Sequence, residues 1–423
     1  MAAFRDRLAR RTSTGRYIPE ADGVRFLAIL LVLLFHASLS VLASYKGSSS
    51  LAPFGGADFP ETRWHVWDFV LNQGRYGVHL FFILSGFILS LPFVTGTPSL
   101  RKYYARRLTR LEPPYLLALT ICFFLAPAGM IGHWIAGLFY MHTFVYRTVN
   151  PINGALWSLE VEILFYLLLP HLARVFALTA RSRRAVIVGS IAVIEVLQWR
   201  YATPAANLSF AGVIQFFLAG LLLADLYCTG GKDKRKSHAW DIAGIACAGA
   251  FLFGWETKWF FSLLPLIGSG LLCAALLGKA TNRYLSNAFV ATVGGMAYSI
   301  YLVHVPLMYL IAPHLPKDAL AFALTLVPCS FMAGLMFYVV IERPCMDPDW
   351  PRKLRAMGHS LLRSRALGHP QKPLARALVL DLTDDAIRSA EKPIHVGTLP
   401  PPLARPSEPL VSRTRSSGGS SPS

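Results

Sequence analysis

Two side chains with chemistry stand eleven positions apart near the start of the chain, Arg25 and His36 in the run VRFLAILLVLLFH. Ten apolar residues separate them. On one helix that gap is ~16 Å of rise, roughly half the hydrocarbon thickness of a bilayer. An arginine at the membrane surface would then share a helix with an imidazole near mid-membrane. Imidazole titrates near neutrality, so it can take a proton from a hydroxyl and return it to a leaving group, or attack as a nucleophile. An ionisable group at that depth is costly, which points to function. The plainer alternative is a histidine satisfied by a neighbouring helix and an arginine that snorkels to anchor a helix end. Asp22, just upstream, suits an N-cap of the first helix.

Four further runs carry polar side chains among apolar ones. In LWSLEVEILFYLLLP (156–170), Ser158, Glu162 and Tyr166 recur every fourth residue and share a helix face. Glu162 could orient His36 and stabilise its imidazolium, or make a packing hydrogen bond; Glu160 points elsewhere, toward water. In YYARRLTRLEPPY (103–115), Arg106, Arg107 and Arg110 form a cationic cluster at a membrane face. It serves either as a topological anchor or, with Arg25, as a phosphate clamp, because guanidinium groups grip phosphate oxygens bidentately. In AYSIYLVHVPLMY (297–309), Tyr298, Tyr301 and His304 share a broad face, with His304 either at a substrate or structural. In GRYGVHLFFILSGFILS (74–90), Gly77, Ser85 and Gly86 permit close helix approach, and His79 suits a pocket or the core equally. Glu342, in IERP, is placed near the surface, pairing with a basic loop.

The elements that must position these residues are membrane helices. The 423 residues are 54% hydrophobic and 15% charged, with mean hydropathy +0.45, against about 25% charged in soluble domains. The formal net charge of +18 does not indicate nucleic acid, because Lys and Arg fall in short loops between apolar runs. Candidate spans are 24–44, 66–94, 113–128, 156–178, 185–201, 208–227, 240–256, 259–279, 289–312 and 318–341. With ten spans, every loop rich in Lys and Arg lies on the side of the basic N-terminus. An eleventh at 131–146 (IGHWIAGLFYMHTFVY) would break that alternation, so this run is expected to be re-entrant or interfacial on the outer side.

The expected fold is thus an all-α polytopic membrane protein of about ten transmembrane helices. Residues 1–20 form a basic cytoplasmic N-terminus, 21–345 the membrane domain and 346–423 a cytoplasmic, largely disordered tail, Pro/Ser-rich at its end, with a short helix possible at 374–390. The first helix is too long for a signal-peptide core and is expected to stay uncleaved. The cysteines show no CxxC spacing, which speaks against metal or redox use. The chain shows no internal sequence repeat. That weakens a secondary transporter or permease for an anionic or amphipathic solute, the chief alternative to an enzyme. A non-catalytic lipid- or glycan-binding sensor is a third possibility.

In order along the chain, DGVRFLAILLVLLFH, GVHLFFILSGFI, RRLTRLEPPY, LWSLEVE with FYLLLP, YSIYLVHVP and IERP resemble the acyltransferase family 3 membrane enzymes over about residues 17–345. The resemblance implies transfer of an acyl group, usually acetyl from acetyl-CoA, to hydroxyls of carbohydrates or small molecules. The family's basic residue, ten residues, then histidine matches Arg25 and His36, and its acidic position in the Trp-Ser-Leu motif matches Glu162. This implies His36, Glu162 and Arg25 as catalytic, with Arg25, Arg106, Arg107 and Arg110 holding acyl-CoA from the cytosol. Asp22, Trp157, Ser158, Tyr166, Tyr301 and His304 are then expected at the substrate, with no metal. His79 and Ile163 depart from the usual pattern, which bears on the acceptor. The setting implied is the inner or plasma membrane, with a carbohydrate or glycosylated acceptor in the cell envelope.

Overall fold

The computed structural model describes residues 17–45, 73–201, 203, 208–231, 235–253, 258–311, 314, 319–347 and 350–352. By internal contacts the chain divides after Gln371, and all described residues belong to the first unit. The readings of residues 1–16, of the tail beyond 352 and of a helix at 374–390 lie outside the described residues.

The described residues form helices and no strand. In chain order these are α1 (Pro19–Tyr45), α2 (Gly77–Thr95), α3 (Leu100–Leu125), α4 (Ile131–Leu138), α5 (His142–Tyr146), α6 (Trp157–Leu172) and α7 (Ala180–Tyr201). Then come α8 (Phe210–Leu226), α9 (His238–Phe253), α10 (Lys258–Leu277), α11 (Ala280–Leu285), α12 (Ala288–Gly295), α13 (Ala297–Ile311), α14 (Ala319–Phe337) and α15 (Arg343–Cys345). Each apolar segment expected to span is mostly helical where it is described. Among the described residues, five helices are long and apolar enough to cross a membrane. A sixth span arises if α12 and α13, bent by 62° at their junction, count as one. Large apolar side chains face outward on several helices, among them Val193 and Val196 on α7, Ile242 and Ile245 on α9, Leu266 on α10 and Met332 on α14. The polar side chains Ser158, Glu160, His304 and Glu342 of the motifs are buried, the arrangement a lipid solvent imposes.

Local chemistry sets several boundaries. Ser209 caps α8 by accepting the Gly212 N–H, and Asn287 caps α12 by accepting that of Phe289. α1 begins at Pro19, so Asp22 lies inside its first turn and is not its N-cap; Asp22 is buried and paired with Arg25. The run 131–146 breaks into α4 and α5, with Tyr140 between them at φ 55°. Neither piece can span.

α3 departs from expectation. The apolar pattern places a helix at 113–128, yet it starts at Leu100 and carries the arginine cluster on its own first half. Pro113 and Pro114 lie inside it. A proline at 113 cannot donate to the carbonyl of Thr109. The indole N–H of Trp350 donates to that carbonyl instead, at 2.9 Å. The helix bond lost at Pro113 is thereby replaced.

Two crossings hold the centre of the bundle. α2 and α8 meet backbone to backbone: a methyl at Gly86 would lie 2.2 Å from the Phe217 carbonyl oxygen, and one at Gly220 2.2 Å from that of Ile83. α1 and α12 meet as closely, since a methyl at Gly294 would overlap the Asp22 carbonyl oxygen at 1.7 Å. Only glycine fits such approaches. Gly77 likewise seats α2 on Ala28 of α1.

Candidate functional site

Six helices line a cavity of about 110 Å³. α1 contributes Arg25, α2 Ser85, and α3 Arg107 and Arg110. α6 adds Ser158, Glu162 and Tyr166, while the α12–α13 bend brings Gly294, Gly295, Tyr298 and Tyr301. The i, i+4 spacing read from the sequence does put Ser158, Glu162 and Tyr166 on one wall.

Glu162 is the hub of that wall. One of its carboxylate oxygens accepts the Ser85 hydroxyl at 2.5 Å and also the Tyr166 hydroxyl. Its hydrogen bonds go to these two groups and not to His36, so the expected Glu162–His36 pairing is not formed. Ser85 acts here as a donor to a carboxylate, beyond the packing role expected of it.

The cations differ in how they are balanced. Arg25 pairs with Asp22, and Arg110 with Glu342 at 3.2 Å. Glu342 also accepts the Ser299 hydroxyl at 2.6 Å and is fully buried, rather than at the surface as expected. Arg107 makes no ion pair with a carboxylate among the described residues. Its guanidinium lies over the rings of Tyr166 and Tyr103, 5.5 and 5.9 Å from their centroids. Cation–π contact orients it without neutralising it. Arg106, expected to act with it, is exposed and does not line the cavity.

At the other end the cavity closes on a hydroxyl pair. Tyr301 donates to the Ala155 carbonyl at 2.6 Å, and its oxygen lies 2.7 Å from Ser158 Oγ. Beyond Tyr301 come the histidines. His304 Nδ1 donates to the Tyr301 carbonyl at 2.7 Å, and its ring lies 4.9 Å from that of His36. His36 Nδ1 donates to Val32 of its own helix at 2.9 Å. Both imidazoles are buried and neither lines the cavity. These bonds assign each ring its Nδ1–H tautomer and leave Nε2 with the lone pair.

Trp157 also stands off the cavity, its ring edge-on to Phe82 at 6.0 Å. His79 is enclosed by Tyr76, Phe82, Phe216 and Phe261, a core position. Glu160, expected to meet water, is buried, and its carboxylate accepts the Thr143 N–H at 2.8 Å at the start of α5. There it meets the positive end of a short helix. Nearby, His133 Nδ1 lies 2.9 Å from His142 Nε2. Burial and the adjacent His133 push His142 down to about 4, so it is neutral at pH 7.

Three lining residues with polar side chains are not among the site residues expected from the sequence: Ser85, Tyr140 and Tyr298. A signal existed for Ser85. A carboxylate inside a membrane helix requires donors, and few hydroxyls lie in the neighbouring apolar runs.

Comparison with known proteins gives a consistent result. A family model described as "Acyltransferase domain" matches residues 18–342. A relative named "Peptidoglycan O-acetyltransferase OatA", from Listeria monocytogenes, is 25% identical over 378 residues, covering 78% of this chain and 56% of its own. The "O-acetyltransferase OatA" of Staphylococcus aureus is 24% identical over 340 residues, 69% of this chain and 51% of its own. The chain thus spans about half the length of these curated relatives. No solved structure matches it.

Proposed function

Because the chain belongs to acyltransferase family 3, its match running from residue 18 to 342, we propose that it is a membrane O-acyltransferase. It moves an acyl group, acetyl first among candidates, from acyl-CoA to a hydroxyl of an envelope glycan. The observation that carries the reading is the cavity itself. Three arginines line it, one of them without a carboxylate partner among the described residues, and its far wall touches the segment that holds His304 against His36.

In this proposal the donor's phosphates lie at the Arg25, Arg107 and Arg110 end, on the cytoplasmic face. The pantetheine arm runs past Glu162 and Ser158. Tyr301 separates the cavity from the imidazoles, so its side chain must yield for the thioester to reach His36. Glu162 acts by fixing Ser85 and Tyr166, the second of which lies under Arg107, and not by holding His36. The ten-span arrangement with both termini cytoplasmic belongs to this proposal, as do a donor taken from the cytosol and an acceptor presented in the envelope. The acceptor class is supported by the names of the relatives.

The test is to supply labelled acetyl-CoA to membranes holding the full chain. The expected result is label in the glycan fraction that depends on the protein. Solute uptake with no acylated product would instead favour the transporter alternative, to which the bent α12–α13 pair would lend itself.

Arg107 supplies a narrower prediction. Hydrogen bonds to a charged group contribute about 1.5–3 kcal/mol. Arg107→Ala is therefore expected to raise the donor KM by roughly tenfold or more, at ~1.4 kcal/mol per decade, with kcat nearly unchanged. Arg107→Lys should restore part of the affinity, keeping the charge and losing the flat stacking surface over Tyr166. Steady-state kinetics at varied acetyl-CoA concentration measure both.

A further inference from the structure

We infer that His304 is the base that takes the proton of the acceptor hydroxyl, working beside His36 as the second imidazole of a two-histidine centre. The inference rests on the acyltransferase reading above and deepens it.

The starting point is an atom without a partner. His304 is fully buried, and its Nε2 has no hydrogen-bond partner among the described residues. Buried polar atoms are nearly always paired, and an exception calls for a cause. The ring's Nδ1–H is spent on the Tyr301 carbonyl at 2.7 Å. That bond fixes the tautomer, so Nε2 is an acceptor and the ring is held in one orientation. His304 is held by one nitrogen and keeps the other as a basic lone pair.

The second observation is distance. The His304 and His36 rings are 4.9 Å apart, centroid to centroid, with planes at 73°. A group carried on one imidazole is within reach of the other. Transfer through an acyl-enzyme needs such a second base. In the first half, His36 Nε2 attacks the thioester carbonyl, a C–N bond forms, the C–S bond breaks, and the coenzyme leaves as a thiolate. The acylated imidazole then has no lone pair with which to accept a proton. In the second half the acceptor oxygen attacks the acyl carbon. Its proton passes to His304 Nε2, the C–N bond breaks, and neutral His36 is restored. Protonated His304 then gives its proton to the thiolate, and the products are ester and free thiol.

The helix carrying this base also closes the cavity. Tyr301, whose carbonyl orients His304, is the residue whose hydroxyl meets Ser158 at the cavity's end. Movement of the Tyr301 side chain leaves that backbone carbonyl in place.

The test uses membranes containing the full chain, radiolabelled acetyl-CoA as donor and the membranes' own glycans as acceptor. In the wild type, label passes through the protein into glycan. In His304→Gln, which keeps a hydrogen-bonding side chain and has no base, glycan labelling should fall by about 10²-fold or more, while acetyl label accumulates on the protein. In His304→Ala, free imidazole should restore part of the transfer. His36→Ala should show label on neither protein nor glycan. Transfer in His304→Gln within a few-fold of wild type overturns the inference. So does loss of transfer without retained protein label, because a merely structural role would block both halves. Full transfer by His36→Ala would remove His36 from the chemistry, and this inference would fall with it, whereas wild-type membranes that show no protein-dependent label in glycan would overturn the acyltransferase reading itself.

Discussion

His36→Ala is expected to lower acyl transfer by about 10³-fold or more while leaving the protein folded and inserted, because a positioned acid–base group contributes about 10²–10⁴-fold and a nucleophile cannot be replaced by solvent. The fold should survive because His36 contributes little to the crossings that hold the bundle. Its Nδ1 bond is to Val32, one turn back on α1. The α1 contacts that set the packing lie elsewhere, at Asp22 against Gly294 and at Ala28 against Gly77. Alanine also favours the helix. The melting temperature in detergent should stay within a few degrees of wild type while initial rates with labelled acetyl-CoA collapse. Near-wild-type transfer would remove His36 from the chemistry.

Glu342→Ala should act in the opposite sense, on the fold first and the reaction second. Glu342 is fully buried between Arg110 and Ser299, at 3.2 and 2.6 Å. Removing one partner of a buried pair costs about 3–5 kcal/mol, less for a pair partly open to solvent. Arg110 is 15% exposed, which argues for about 2–4 kcal/mol. The loss should be read as a lowered melting temperature. Because Arg110 also lines the cavity, the surviving protein should show a raised donor KM. Glu342→Gln retains an acceptor for Ser299 and should lose less. A variant as stable as wild type would show that the pair contributes nothing net.

The two predictions differ in how early they could be made. Arg25 and His36 are legible because they share one helix, and helical rise is known from sequence spacing alone. Ser158, Glu162 and Tyr166 are legible for the same reason, as is the kinship of the whole run to its family. What lies between helices is not. Glu162 and His36 are both costly in a membrane, which suggests a pair, yet the donors to Glu162 are Ser85 and Tyr166. A serine that permits close packing and one that satisfies a carboxylate look identical in composition. Glu342 reads as a surface residue because it ends an apolar run, and its burial depends on α3 extending far enough back to bring Arg110 against it. That extension was hidden by two prolines. The donor lost at Pro113 is replaced by Trp350, more than two hundred positions away, through a bond to Thr109 that no local pattern reveals.

The glycine crossing of α2 and α8 bears on how a ligand enters. With a carbonyl oxygen 2.2 Å from where a methyl would stand on either helix, there is no side-chain layer to slide or compress. These two helices must move as one body. Ser85, one residue from Gly86, is therefore anchored on the stationary bank of the cavity. The opposite bank is joined by polar bonds and not by backbone contact: the Tyr298 hydroxyl of α13 donates to the Leu111 carbonyl of α3 at 2.8 Å, and Glu342 bridges Arg110 of α3 and Ser299 of α13. A long donor arm would thus be admitted by α3 and α13 parting from each other. The arginines on α3 and the base on α13 would then ride on opposite leaves of one door.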